Sequence, residues 1–185
     1  MVFEILKNSS TLDDQAIFHA ASILKNKAMF DFVAFRMQQD PSQAQTVLLQ
    51  MCQDLVQVIT HYSSTNFRDG KVAPRFIVNV LCTALAYLTI HTHQIWPNLI
   101  SDITSAFSND LEQAFCLLRV FKYMAEDCDN EQIVVEESVK ESYYEYLDSH
   151  AREQVFKNIF NHWAQNIPQL IANQAAIDSS KVTFL

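Results

Sequence analysis

His91 and His93 are the residues of this sequence that come nearest to a metal-chelating pair. Two imidazoles separated by one residue share a cation readily on a β-strand, where alternate side chains point to the same face. The flanking residues have helical periodicity, however, and helix positions two apart point about 200° away from each other. The other histidines supply no spacing that completes a set of zinc ligands. We therefore expect structural or surface histidines, with no metal site and no cofactor.

Asp148, Ser149 and His150 have the residue types of a hydrolase triad in consecutive positions. A nucleophilic relay needs side chains that the fold brings together, and neighbours on one helix do not supply that geometry. The single glycine of the chain, Gly70, excludes a P-loop and a dinucleotide-binding fingerprint. No helical segment carries the Glu-x-x-His pair that builds metal sites in helical bundles. We expect no catalytic residues, and a small all-α enzyme is a disfavoured interpretation.

Composition narrows the class of partner and the compartment. The 185 residues carry a formal net charge of −8 without a basic run, so we expect no direct nucleic-acid partner. Three of the four cysteines, Cys52, Cys82 and Cys116, lie on apolar helical faces, which predicts buried reduced thiols and an intracellular protein. Asn79 and Thr83 interrupt the most apolar run, so membrane insertion is not expected.

Both the scarcity of glycine and the helical periodicity predict an all-α fold. Hairpin turns depend on glycine for positive φ, so one glycine nearly excludes a strand-rich architecture. Apolar residues make up 49% of the chain and recur at steps of three and four. The richest segments, residues 74–93 and 97–107, meet at Trp96, and Pro97 suits the first position of the second helix.

The hairpin at residues 74–107 is apolar over more than half of its circumference and needs neighbours on several sides. Stacked helical repeats meet that need, and the helix pairs recur about every forty residues, as in HEAT repeats. We predict a right-handed superhelical solenoid of antiparallel helix pairs, with about three to four pairs in residues 1–167. Residues 168–185 are expected to be a truncated or partly ordered tail. A compact helical bundle is the alternative.

Apolar stripes predict which side chains face the interior. In the helix expected at residues 12–32, which Thr11 and Asp14 start as a capping box, the stripe consists of Ala16, Ile17, Ala20, Ile23, Leu24 and Phe30. In the helix expected from Pro41 to about residue 62, it consists of Val47, Leu48, Met51, Leu55, Val58, Ile59 and Tyr62. Residues 133–167 have a helical pattern almost throughout.

The second of these helices has an opposite face that is polar but uncharged. It carries Thr46, Gln50, Gln53, Gln57 and Thr60, with Asp54 beside them. An ordinary exposed face has more Lys and Glu, whereas a glutamine-rich face hydrogen-bonds a protein partner with little desolvation of charge. The face is therefore a candidate protein-binding surface, and accident of composition is the alternative.

Three segments occur in the order of helices in one known family. Residues 18–32 read FHAASILKNKAMFDF, residues 80–103 read VLCTALAYLTIHTHQIWPNLISDI, and residues 114–131 read AFCLLRVFKYMAEDCDNE. They resemble the FAAQTLKNKI helix, the QLALALADLAL…WPNLIPDL hairpin and the FLLEILTVLPEEV helix of karyopherin-β (importin-β) nuclear transport receptors. The third is most similar to the branch that contains the SR-protein transportin, but it lacks that motif's proline. An exportin-type receptor is the alternative within the family.

The resemblance implies an N-terminal fragment of a transport receptor that shuttles between cytoplasm and nucleus and is not an enzyme. Such a receptor binds the small GTPase Ran in its GTP form, contacts nucleoporins and carries protein cargo, and the acidic balance suits basic cargo. In the family, the second helix of each hairpin lines the concave surface that faces Ran. The candidate Ran-GTP-facing residues are therefore Gln50, Gln53, Asp54, Gln57, Asn98 and Asp102. A HEAT-repeat scaffold or adaptor unrelated to transport is the alternative function.

Overall fold

The computed structural model describes six ranges of the chain and three further single residues. These are residues 2–7, 12–30, 41–64, 73–107, 111–126 and 132–151, with residues 157, 161 and 164. The helices of the six ranges are α1 (Val2–Lys7), α2 (Asp14–Phe30), α3 (Pro41–Ser63), α4 (Arg75–Thr92), α5 (Leu99–Ala106), α6 (Leu111–Glu126) and α7 (Glu137–Tyr146). A π-helical segment, Leu147–Ala151, continues α7. These ranges contain no strand, so the predicted all-α class is confirmed.

The helices pack in two layers, one of odd-numbered and one of even-numbered helices. In the even layer, α2 packs on α4 and α4 packs on α6, and in the odd layer, α1 packs on α3 and α3 packs on α5. Contacts of α1 with α2, and of α3 with α4 and α6, join the layers. Contact between every second helix is typical of stacked hairpins. The predicted HEAT-like solenoid of helix pairs is thus confirmed.

Helix α4 lies at the centre of the stack and contacts α2, α3, α6 and α7. Every residue from Ala84 to Thr92 is buried, because neighbours cover this helix on all sides. Only a helix that is apolar nearly all round tolerates such burial, which explains the composition of the segment. Helices from both layers therefore cover α4 on the several sides that its sequence predicted.

The same composition makes α4 resemble a membrane span. Within the described ranges it is the one helix that is long and apolar enough to cross a bilayer, with a mean hydropathy of 1.3 over 18 residues. By length and composition alone, the expectation that Asn79 and Thr83 make this run too polar for a membrane span is therefore wrong. Because 72% of the window is buried inside the protein, helix packing accounts for its apolarity, and length and composition alone are weak evidence for a membrane.

Two helices, α2 and α5, begin two residues later than the sequence predicted. Asp13 caps α2, since its Oδ1 accepts the backbone N–H of Ala16 at 2.6 Å. The predicted start residue, Thr11, lies outside the described residues. Helix α5 begins at Leu99, so Pro97 belongs to the preceding turn and not to the first helical position.

Helix α7 begins at Glu137, later than the helical pattern from residue 133 predicted. The backbone N–H of Val134 donates to the carbonyl oxygen of Met29 at 3.1 Å. This bond holds the approach to α7 against the end of α2 in a non-helical conformation. Most of the helix predicted beyond Ala151, and the tail at residues 168–185, lie outside the described residues.

Three apolar side chains assigned to buried stripes are exposed instead. Ile23 and Phe30 of α2 are 49% and 48% exposed, and Val47 of α3 is 43% exposed. The side of α2 that faces the interior is narrower than the apolar pattern and is centred on Ala21, Leu24 and Ala28, which are buried. Ile23 and Phe30 are seven residues apart and point away from that side.

Candidate protein-binding face of the odd layer

The polar face of α3 is exposed as predicted. Gln50, Gln53 and Gln57 are exposed, whereas Cys52 and Leu55 point into the core from the opposite side of the helix. The polar face follows from the helical register, because the apolar stripe of α3 must cover α4 and α6. The structure therefore presents three amide side chains at helical spacing on the odd layer.

Asp54 adjoins the glutamines, but its carboxylate already has two partners. Lys7 of α1 places its Nζ 3.1 Å from Oδ2 of Asp54. Gln50 donates from Nε2 to Oδ1 of Asp54 at 3.2 Å. The charge of Asp54 is thus largely balanced by Lys7, and the carboxylate serves first to join α1 to α3.

Lys7 was not among the candidates, although the structure makes it part of this face. Its side chain is 40% exposed and lies at the end of a short helix that packs on α3. The alternation of layers was the available signal, since it puts α1 beside α3. Periodicity within single helices does not pair Lys7 with an acid, so this ion pair was not predicted.

Asn98 and Asp102 lie at the other end of the odd layer, where α4 turns into α5. Both are exposed, and the backbone N–H of Asp102 donates to the carbonyl oxygen of Asn98 at 2.8 Å. Oδ2 of Asp102 also accepts a hydrogen bond of 2.6 Å from Nε1 of Trp96. Asp102 therefore closes the hairpin turn, and it is not a freely available acidic side chain.

His91 near the end of α4 and His93 in the turn that follows it have structural surroundings. His91 and His93 are buried, and Nδ1 of His93 donates to the carbonyl oxygen of Ile90 at 2.9 Å. Nε2 of His93 accepts from Oγ of Ser142 at 3.1 Å, which links α4 to α7. Burial lowers the pKa of His93 below its ordinary value because the charged imidazolium loses solvation, although the bond to Ile90 opposes this. In the described part of the chain, no group of three or more His, Cys, Asp or Glu side chains could hold a metal ion.

Ser149 and His150 contact each other, although they are adjacent in sequence. Ser149 Oγ lies 2.7 Å from Nδ1 of His150 in the π-helical segment, so helical neighbours do touch here. Ser149 Oγ also lies 2.7 Å from the carbonyl oxygen of Glu145, to which its hydroxyl donates. Both side chains are exposed, and the ring of His150 stacks on Tyr146 at 4.8 Å. A hydroxyl that donates to its own helix is not positioned as a nucleophile.

A comparison with protein families gives one match. Residues 74–183 match the exportin 1-like protein family. The matched region is more than half of the chain. The chain belongs to the exportin 1-like family. No curated protein and no solved structure gives a match.

Membership of the exportin 1-like family confirms the karyopherin-type resemblance at the level of the family. Members of this type are nuclear transport receptors, and such receptors are generally not enzymes. The match does not single out the SR-protein transportin branch. It begins at residue 74 and includes α4 to α7, so Asn98 and Asp102 fall inside it. The three glutamines of α3 precede it, and their place on the same layer comes from the packing of α3 on α5.

Proposed function

We propose that this exportin 1-like chain is the Ran-binding part of a nuclear transport receptor and that its odd layer, α1, α3 and α5, binds the GTP form of Ran. The observation that carries the proposal is the exposed glutamine face of α3, which lies between α1 and α5 in that layer. Family membership supports transport as the function, and the exposed amides supply a surface for a protein partner.

Gln53 and Gln57 are the residues that we expect to contact Ran directly. Both are exposed, and neutral amides lose little solvation free energy when a partner covers them. Asp54 and Asp102 have a different role in this proposal. Asp54 forms an ion pair with Lys7 and so positions α1, and Asp102 accepts a hydrogen bond from Trp96 and so positions the α4–α5 turn. We expect both carboxylates to contact Ran with their remaining acceptor capacity.

The direct test measures binding of the chain to Ran loaded with GTP or GDP. The wild-type chain is expected to bind the GTP form selectively. The double variant Gln53→Lys/Gln57→Lys should weaken that binding by about tenfold or more, because added positive charge opposes a partly basic GTPase. Asn26→Lys is the matched control, since Asn26 is an exposed amide on α2 of the even layer. It should leave the affinity unchanged.

Three outcomes would contradict the proposal in different ways. Equal binding of both nucleotide states would favour a HEAT-repeat scaffold unrelated to transport, and so would no binding at all. Equal loss of affinity in the α2 and α3 variants would mean that the odd layer is not the specific binding surface. Circular dichroism of each variant separates these results from unfolding, because an all-α chain loses its helical signal when it unfolds.

We further propose that the receptor carries protein cargo past nucleoporins and shuttles between cytoplasm and nucleus. The net charge of −8 favours cargo with a basic surface. If Ran and cargo are thermodynamically linked, each changes the affinity of the other by the same factor. Titrating Ran-GTP against a complex of the full receptor with its cargo measures that factor, and a factor of one would contradict the linkage.

A further inference from the structure

Two buried thiols meet where α4 packs on α6. Cys82 of α4 is fully buried and Cys116 of α6 is 1% exposed. Sγ of Cys82 donates to the backbone carbonyl oxygen of Cys116 at 3.9 Å, and the two side chains lie close enough for each to shift the pKa of the other. Neither residue belongs to the face proposed for Ran, and both lie in the even layer.

The two sulfur atoms differ in their tendency to ionise. The hydrogen bond from Cys82 lowers the pKa of Cys116, and the positive charge of Arg119 lowers it further, although burial opposes both. The same hydrogen bond and burial raise the pKa of Cys82. Cys116 is therefore the better source of thiolate, which is the nucleophilic form of cysteine.

We propose that Cys82 and Cys116 are a modification site at which a hydroperoxide produces a reversible intramolecular disulfide between α4 and α6. The Cys116 thiolate attacks one oxygen of hydrogen peroxide, the O–O bond breaks, and one proton is taken up as water leaves, which produces a sulfenic acid. The Cys82 sulfur then attacks the Cys116 sulfur. The S–S bond forms as the S–O bond breaks, and the Cys82 proton leaves with the hydroxide as a second water.

The bond would connect two successive helix pairs of the solenoid. The two cysteines are 34 positions apart, so the disulfide closes a loop that includes α5 and its connections. Cross-linking a loop of this length lowers the conformational entropy of the unfolded chain and stabilises the folded state. It also fixes α4 to α6, whose relative shift is a means by which a solenoid changes curvature.

Cys52 is a matched internal control for this chemistry. It is also fully buried, but its sulfur contacts Oγ1 of Thr92 at 3.7 Å and not a second cysteine. Burial raises the pKa of the Cys52 thiol to about 12. Cys52 should therefore remain a free thiol under conditions that link Cys82 to Cys116.

The experiment exposes the folded full chain, with Cys128→Ser to remove the fourth thiol, to hydrogen peroxide and follows its intact mass. We expect a loss of about 2 Da, assigned to a Cys82–Cys116 link by non-reducing peptide mapping and reversed by dithiothreitol. The oxidised protein should also have a melting temperature higher by about 5 °C or more. Cys52→Ala should form the same link, whereas Cys82→Ala should not form it.

Retention of both thiols in the folded protein, shown by alkylation after denaturation, would overturn the proposal. A link that forms only in urea would do so as well, because it would require the unfolded chain and not this packing. Over-oxidation of Cys116 to sulfinic acid without a link, or pairing with Cys52, would also overturn it. None of these outcomes depends on whether the chain binds Ran.

Discussion

The indole Nε1 of Trp96 donates a 2.6 Å hydrogen bond to Oδ2 of Asp102. The indole is 5% exposed and the carboxylate lies on an exposed residue, so the bond joins the buried turn after α4 to the surface of α5. Hydrogen bonds to charged acceptors are among the stronger ones in proteins. This contact gives Asp102 a structural role in addition to its candidate role in binding.

Replacing Asp102 should therefore destabilise the chain before it affects any partner. We expect Asp102→Ala to lower the free energy of unfolding by about 1–3 kcal/mol, because the indole N–H loses its acceptor. Urea denaturation followed by circular dichroism measures the change. Ser101→Ala, at an exposed neighbouring position of α5, is the control and should change stability little. Equal stability of the two variants would show that water replaces the carboxylate without cost.

The contact of Lys7 with Asp54 predicts a small, salt-dependent effect. The two side chains are 40% and 20% exposed, so we expect a coupling energy of about 0.2–1 kcal/mol. A double-mutant cycle with Lys7→Gln and Asp54→Asn measures it. The coupling should shrink when salt is raised, since ions screen exposed charges. A coupling that is unchanged at high salt would mean that packing, and not charge, joins α1 to α3.

The central hairpin of the fold was predictable because its sequence meets two physical demands at once. A run that is apolar nearly all round requires burial on all sides, and α4 is buried in that way. The turn at Trp96 and Pro97 was visible as a break between two helical patterns. The start of α7 was not predictable, because it depends on the contact of Val134 with Met29, which are far apart in sequence. The start of α5 was predicted two residues too early, since Pro97 lies in the turn.

The candidate face was predictable in outline but not in its charges. Helical spacing alone places Gln50, Gln53 and Gln57 on one side of α3, and the structure confirms their exposure. The partners of the acids were missed, since Lys7 reaches Asp54 only through the stacking of α1 on α3. Periodicity describes one helix at a time, whereas these contacts depend on the layers.

Burial of Cys52 predicts that stability falls at alkaline pH. Its pKa is raised to about 12 in the folded protein, whereas the thiol of the unfolded chain ionises near 9.0. The favourable contribution is present below the lower value and is lost as the pH rises through this window, because only the unfolded state releases the proton. The loss should be about 1.4 kcal/mol per pH unit inside the window. Urea denaturation of wild type and Cys52→Ala at about pH 8 and about pH 10 should show a steeper loss for the wild type.

His93 should make stability fall at acidic pH. Its folded-state pKa is lowered from 6.5 by burial, so the unfolded chain takes up a proton more readily than the folded chain. The contribution is present above the unfolded pKa and is lost as the pH falls through the folded value. Neutral His93 satisfies both ring nitrogens, one with Ile90 and one with Ser142, and its ring lies edge-on to Tyr143 at 5.2 Å.

Urea denaturation at about pH 7.5 and about pH 5.5 measures this dependence. The variant His93→Gln should lose part of the pH dependence of the wild type, because glutamine does not titrate in this range. His19→Gln is the control, since His19 is exposed on α2 and its replacement should leave the pH dependence nearly unchanged. If the two variants lost pH dependence equally, desolvation of His93 would not be its source. If the full pH dependence of stability persisted in both variants, other groups would be its source. The contacts of His93 with α7 would then be insensitive to protonation.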